Sequence, residues 1–108
     1  MSKYLLMGTY TPDAWASQVK DPKNRIEIVS PEFEKLGGSI EAAYMAFGEN
    51  DLIIIANFPD NISAAALAIG VAAGGAMSNL KTIPLLDIEE GLEALKKAAT
   101  IAYNPPGK

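Results

Sequence analysis

Neither cysteine nor histidine occurs among the 108 residues of this chain. The first absence removes thiolate nucleophiles, disulfides and Cys-bound metals. The second removes Ser-His-Asp catalysis, imidazole-bound zinc and histidine-ligated haem. Positive charge is scarce as well, with nine Lys and Arg against thirteen Asp and Glu and a net charge of −4. A surface of that sign repels phosphate backbones unless its cations cluster. The densest basic stretch, Lys20 to Arg25, is interrupted by Asp21 and has no interleaved aromatic residue, so nucleic acid is not an expected partner. No apolar run is long enough for a bilayer: Ile62 to Met77 is about four residues short of the roughly 20 required, and it is built largely from Ala and Gly. The opening MSKYLLMGTY has one lysine and an apolar run cut by Gly8, unlike a signal peptide. A cytoplasmic protein without a membrane element is expected.

The acidic residues Asp13, Glu27, Glu32, Glu34, Glu89, Glu90 and Glu93 fall on helical faces beside lysines, without metal-ligand spacing. No G-x-x-x-x-G-K phosphate loop occurs. Neither a metal nor a cofactor is expected. What the chain does have is apolar surface. At 49% hydrophobic and 20% charged residues it is suited to one buried core, and a single domain over residues 1–103 with a flexible tail at 104–108 is expected.

KYLLMGTY reads as a strand, followed by Thr11-Pro12-Asp13 as N-cap, first-turn proline and early acid of a helix. That helix is expected to stop before Asp21-Pro22, where a second cap and proline restart it. Ile26, Val29, Phe33 and Leu36 keep helical spacing across Pro31, which indicates one kinked helix, closed by Gly37-Gly38. SIEAAYMAF and NDLIIIANF form a hairpin, with Gly48-Glu49 suited to a two-residue type II′ tip. Pro59-Asp60-Asn61 caps an Ala-rich helix that ends at Gly74-Gly75. MSNLKTIPLL follows as a strand whose Pro84 belongs on an edge. Asp87 and Glu90 form a capping box for a last helix with the stripe Ile88, Leu92, Leu95, Ala99 and Ala102. The order is that of an α+β, ferredoxin-like βαββαβ sandwich with an extra C-terminal helix.

In such a sandwich the helices cover one face of the sheet and the other is wet and polar. Here Leu52, Ile54, Ala56 and Phe58 alternate with Ile53 and Ile55, so both faces are apolar. The first strand behaves likewise, with Leu5 and Met7 opposite Tyr4 and Leu6. One helical layer cannot cover both faces, and a second copy of the chain laid sheet to sheet is the economical solution.

The segment YMAFGENDLIIIANFPDN, with LLMGTYTPDA, RIEIVSPEFEKLGGSIEAAY, the Ala-rich helix and TIPLLDIEE, resembles the GYD-domain family over nearly the whole chain. That family takes its name from a Gly-x-Tyr-Asp motif at the hairpin, which stands here as Gly48-Glu49-Asn50-Asp51. Asn50 occupies the tyrosine's place, so no role of a tyrosine hydroxyl carries over. The resemblance implies a subunit of the dimeric α/β-barrel type. It implies little about activity.

A two-residue tip sets Ala46 opposite Asp51, Tyr44 opposite Ile53, Ala42 opposite Ile55 and Ile40 opposite Asn57, placing Tyr44, Asp51 and Asn57 on one face. With Thr9 or Lys81 they are the candidate pocket, an apolar cavity between the sheets of two subunits that would take a small apolar or aromatic ligand. No catalytic residue is assigned. The expected function is that of a small-molecule-binding homodimer or higher homo-oligomer. The alternative is a cofactor-independent monooxygenase or isomerase acting on a small aromatic or enol substrate, using Tyr44, Asn57, Asn50 or Trp15. Asp51, desolvated among Ile53 and Ile55, would then serve as a general acid or base.

Overall fold

In the computed structural model, which describes residues 1–107, four strands form one antiparallel sheet in the order β2-β3-β1-β4. The elements are β1 (Ser2–Tyr10), α1 (Pro12–Lys20), α2 (Arg25–Lys35), β2 (Ser39–Met45), β3 (Leu52–Phe58), α3 (Asn61–Ala73), β4 (Met77–Leu85) and α4 (Ile88–Ala98). This is the ferredoxin-like α+β arrangement, with β2 and β4 on the edges. Pro84, whose missing N–H would break an interior ladder, lies on the edge strand β4. Of the expected tail, Asn104 to Gly107 lie in irregular chain and residue 108 is outside the described residues. No described helix is long and apolar enough to cross a membrane.

Local chemistry sets most boundaries. Thr11 caps α1 by accepting from the Ala14 amide, with Pro12 at the first helical position. Asp60 caps α3 through the Ser63 amide at 2.8 Å, a bond that holds its carboxyl below the usual range. Asp87 and Glu90 bond reciprocally at the start of α4. Pro31 lies inside α2, which remains one helix. It ends in a paired cap: the Gly37 amide donates to Glu34 O and the Gly38 amide to Phe33 O, both at 2.9 Å, with Gly37 left-handed at φ 78°.

Three local expectations are corrected. The second helix restarts at Asn24, not at Asp21-Pro22. Asp21 closes α1 by donating its amide to Ser17 O, while Asn24 Oδ1 accepts from the Ile26 and Glu27 amides. The hairpin tip is not a type II′ turn, because Gly48 does not adopt positive φ. The strands part after Met45 and Leu52, and the loop between them is held from outside by β1. Lastly, the ladder follows the expected register from Met45 to Ala42, then slips at a bulge: Ile40 pairs with Ala56, and Asn57 with Ser39. The slip returns Ile40 to the helix-covered face, where it packs on the core.

That core is one layer between sheet and helices. Tyr4, Ile54, Ala56 and Phe58 from the sheet meet Phe33 of α2 and Ala64 and Leu67 of α3. The Tyr4 hydroxyl reaches Asn61 Oδ1 at 2.6 Å, tying the strand to the start of α3.

Candidate functional site

The sheet's second face carries no helix-packed core. Cross-strand pairing builds three rows on it: Tyr44–Ile53–Met7–Lys81, Ala42–Ile55–Leu5–Ile83 and Ser39–Asn57–Lys3–Leu85. The centre is apolar, and Tyr44 is 65% exposed and Ile83 40%. Tyr44 and Asn57 thus share a face, but they stand in different rows, roughly 13 Å apart at strand spacing. Tyr44 and Lys81 end one row on opposite edge strands, about 14 Å apart. The five candidate residues are spread along the face of one chain, with Thr9 and Asp51 near one end and Asn57 near the other.

Asp51 is buried, and its carboxylate makes a structural contact. Regular β3 begins only at Leu52, leaving the Tyr10 amide at the end of β1 without a strand partner. Asp51 Oδ2 accepts from it at 3.0 Å. The Asp51 amide donates to Gly8 O at 2.8 Å, the Ala46 amide to Asp51 O at 2.8 Å, and Thr9 Oγ1 to Glu49 O at 3.0 Å. Gly48 to Asp51 therefore form a clasp that fastens the hairpin loop to β1. Beside it, Asn50 Oδ1 is buried without a hydrogen-bond partner among the described residues. Asp51→Ala strands the Tyr10 amide and is expected to cost about 2 kcal/mol, read in a urea melt and as faster hydrogen exchange at that amide. Asp51→Asn keeps an acceptor and should recover most of the loss. Unchanged protection of the Tyr10 amide in the alanine variant would remove the clasp from the account.

A cavity of about 660 Å³ lies on the other side, between the sheet and the splayed helices α2 and α3. Leu6, Leu52 and Ile54 form its floor, Val29 and Phe33 one wall, and Leu67 and Val71 the other. Lys81 belongs to its lining, whereas Thr9, Tyr44, Asp51 and Asn57 do not. Its polar lining includes Glu32, Lys35, Lys81 and Thr82, and, where β1 ends and α2 begins, Tyr10 and Arg25. Tyr10 is buried, with its ring edge-on to Trp15 at 5.1 Å. Burial pushes the Tyr10 hydroxyl above its ordinary range. The Arg25 guanidinium pulls it back part of the way, and Asp51 adds to the rise. The hydroxyl is thus a protonated donor beside an exposed guanidinium, an arrangement that can receive an anionic or hydrogen-bond-accepting group. Among the described residues no three acidic side chains converge as metal ligands would. Sequence reading missed Tyr10 and Arg25, although Tyr10 shares the parity of Tyr4, Leu6 and Gly8 and so belongs to the helix-covered face.

Fold and site together define a ferredoxin-like α+β domain with a helix-walled apolar cavity on one side of its sheet and a bare apolar face on the other. The family model described as the GYD domain matches residues 4–95, and the chain belongs to that family. Comparisons with curated proteins and with solved structures gave no match.

Proposed function

We propose that the protein is a homodimeric small-molecule-binding domain whose ligand is mainly apolar and carries one anionic or accepting group. The observation that carries this reading is the cavity of about 660 Å³ with apolar walls and the Tyr10–Arg25 pair at one end, in the size range of small-molecule sites. A cavity between two sheets would require the second copy, whereas this one exists within a single chain. The homodimer is supported separately by the apolar second face, which is too continuous for a lone water-facing sheet.

Titration with a series of small aromatic acids and their neutral alcohol analogues, followed by amide chemical shifts, tests the reading. Binding is expected to perturb residues on the cavity walls, and Arg25→Gln should weaken the acids by roughly tenfold, about the worth of one charge-assisted bond, with the alcohols unaffected. No perturbation by any member, or equal weakening of acids and alcohols, would count against it.

The cofactor-independent monooxygenase or isomerase reading draws support from the same pair, since Tyr10 and Arg25 suit an enolate or phenolate. It also needs a proton acceptor. The carboxylate lining the cavity, Glu32, is exposed and ion-paired with Lys35 at 3.1 Å, and Asp51 is engaged by the Tyr10 amide. Binding is therefore preferred over turnover.

A further inference from the structure

Besides the second face of the sheet, two surfaces of this chain are built for burial and meet nothing within it. One is the outer side of α3. Its thirteen residues contain no charge, and a helix apolar on every side belongs in an interior. Yet only Ala64 and Leu67 are buried, while Ile62 is 81% and Ile69 68% exposed. The other surface is the stripe of α4. Ile88, Leu92 and Leu95 fall within an arc of about 60° at helical spacing, with Glu89, Glu93, Lys96 and Lys97 on the remaining side. No residue of α4 is buried.

The two do not meet because of how α4 departs. The Asp87–Glu90 capping box holds its first turn, and the helix projects from the domain. The molecule is drawn out to 57 Å, with a radius of gyration of 17.4 Å against about 13 Å for a compact chain of this length.

We propose that α4 is an exchanged arm: in the dimer, α4 of each copy lies along the mouth of the groove between α2 and α3 of the other. Three features of the groove fit such a helix. Ala66, Gly70 and Gly74 of the α3 side recur every fourth residue along its lining, which permits close approach of a second helix. The space over Gly70 is open, since a Cβ there would meet nothing within 4 Å. On the α2 side, Arg25 has no ion-pair partner among the described residues, and the acidic flank of α4 supplies one. Helix and seat belong to the same chain, so two copies satisfy each other reciprocally about a two-fold axis and leave neither surface over. The arm becomes the missing wall of the cavity. The inference rests on the homodimer reading, and it shares Arg25 with the ligand-binding reading, so that a carboxylate of α4 and an anionic ligand would compete for the same guanidinium.

The absence of cysteine makes the test clean. Full-length chains carrying Gly70→Cys or Leu95→Cys are mixed, oxidised mildly and run without reductant, beside each variant alone and the unsubstituted protein in light scattering. The expected result is a dimer mass together with a disulfide-linked pair of chains in the mixture, well above either variant alone. A dimer mass without that cross-link overturns the arm and leaves a sheet-mediated dimer. In a chain carrying both substitutions, a bridge confined to single chains overturns it too, since α4 then folds back on its own α3. A monomer at micromolar concentration overturns arm and homodimer together. Leu92→Glu, at an exposed position of α4, should raise the dimer dissociation constant at least about tenfold while leaving the circular dichroism of the diluted protein unchanged.

Discussion

Phe58→Ala is expected to cost about 3–5 kcal/mol, a large part of the 5–15 kcal/mol that typically holds a domain together. Phe58 has no exposed surface and stands at the centre of the single core layer. Its ring packs edge-on to Tyr4 at 5.8 Å and stacks on Phe33 of α2 at 5.5 Å with 21° between planes. It is therefore the residue through which sheet and α2 share one interior. Truncation leaves a void that fully buried neighbours cannot close, because Tyr4 is held by its hydroxyl to Asn61 and Phe33 by the turn that ends α2. Thermal unfolding at fixed protein concentration should show a fall of roughly 15 °C or more. Phe58→Leu keeps most of the volume but loses both aromatic contacts, and about 1–2 kcal/mol is expected. If the two variants proved equal, packing around the ring would not be the source of the loss.

The position of Phe58 shows what sequence could and could not disclose. Its alternation with Ile55 and Asn57 places it on one face of β3, and the two-sided apolarity of that strand is legible without coordinates. So are the caps, because each depends on one or two neighbouring residues: Thr11 before Pro12, Asp60 before Asn61, Asp87 three residues from Glu90. The restart of α2 was less legible. Asp21-Pro22 and Asn24 offer equally good local chemistry, and the choice falls to Asn24 because the Asp21 backbone is already spent closing α1. The bulge at Glu41 follows from the need to seat Ile40 on the core, a tertiary demand with no local mark. The cavity is further still from sequence. It exists because α2 and α3 stand apart on the sheet, and Tyr10 and Arg25 meet only because the end of one element lies beside the start of another. Asp51 was legible as an oddity in an apolar strand. Its partner, a backbone amide 41 residues away, was not.

Gly38→Ala is the second large effect, expected at about 3 kcal/mol from overpacking, and its origin is not the usual one for glycine. Gly37 has the left-handed backbone; Gly38 does not. A Cβ at Gly38 would instead collide with the Asn57 carbonyl oxygen and come within 2.7 Å of Phe58 Cδ1. Neither obstacle yields easily, since the first is backbone of the central strand β3 and the second is the fully buried ring. Gly37→Ala meets only the Pro59 ring, at 3.4 Å from Cγ and 3.7 Å from Cδ, so its cost is chiefly the left-handed conformation, about 1–2 kcal/mol, and Gly37→Asn should cost less. The two glycines are thus separable by substitution although they are adjacent and serve one helix end. A double-mutant cycle joins this prediction to the first. Removing the ring in Phe58→Ala relieves one of the two collisions at Gly38, so the combined variant should lose about 1 kcal/mol less than the sum of the single losses. Full additivity would mean that the strand carbonyl alone forbids a side chain at Gly38. Complete relief would mean that the backbone there gives way once the ring is gone.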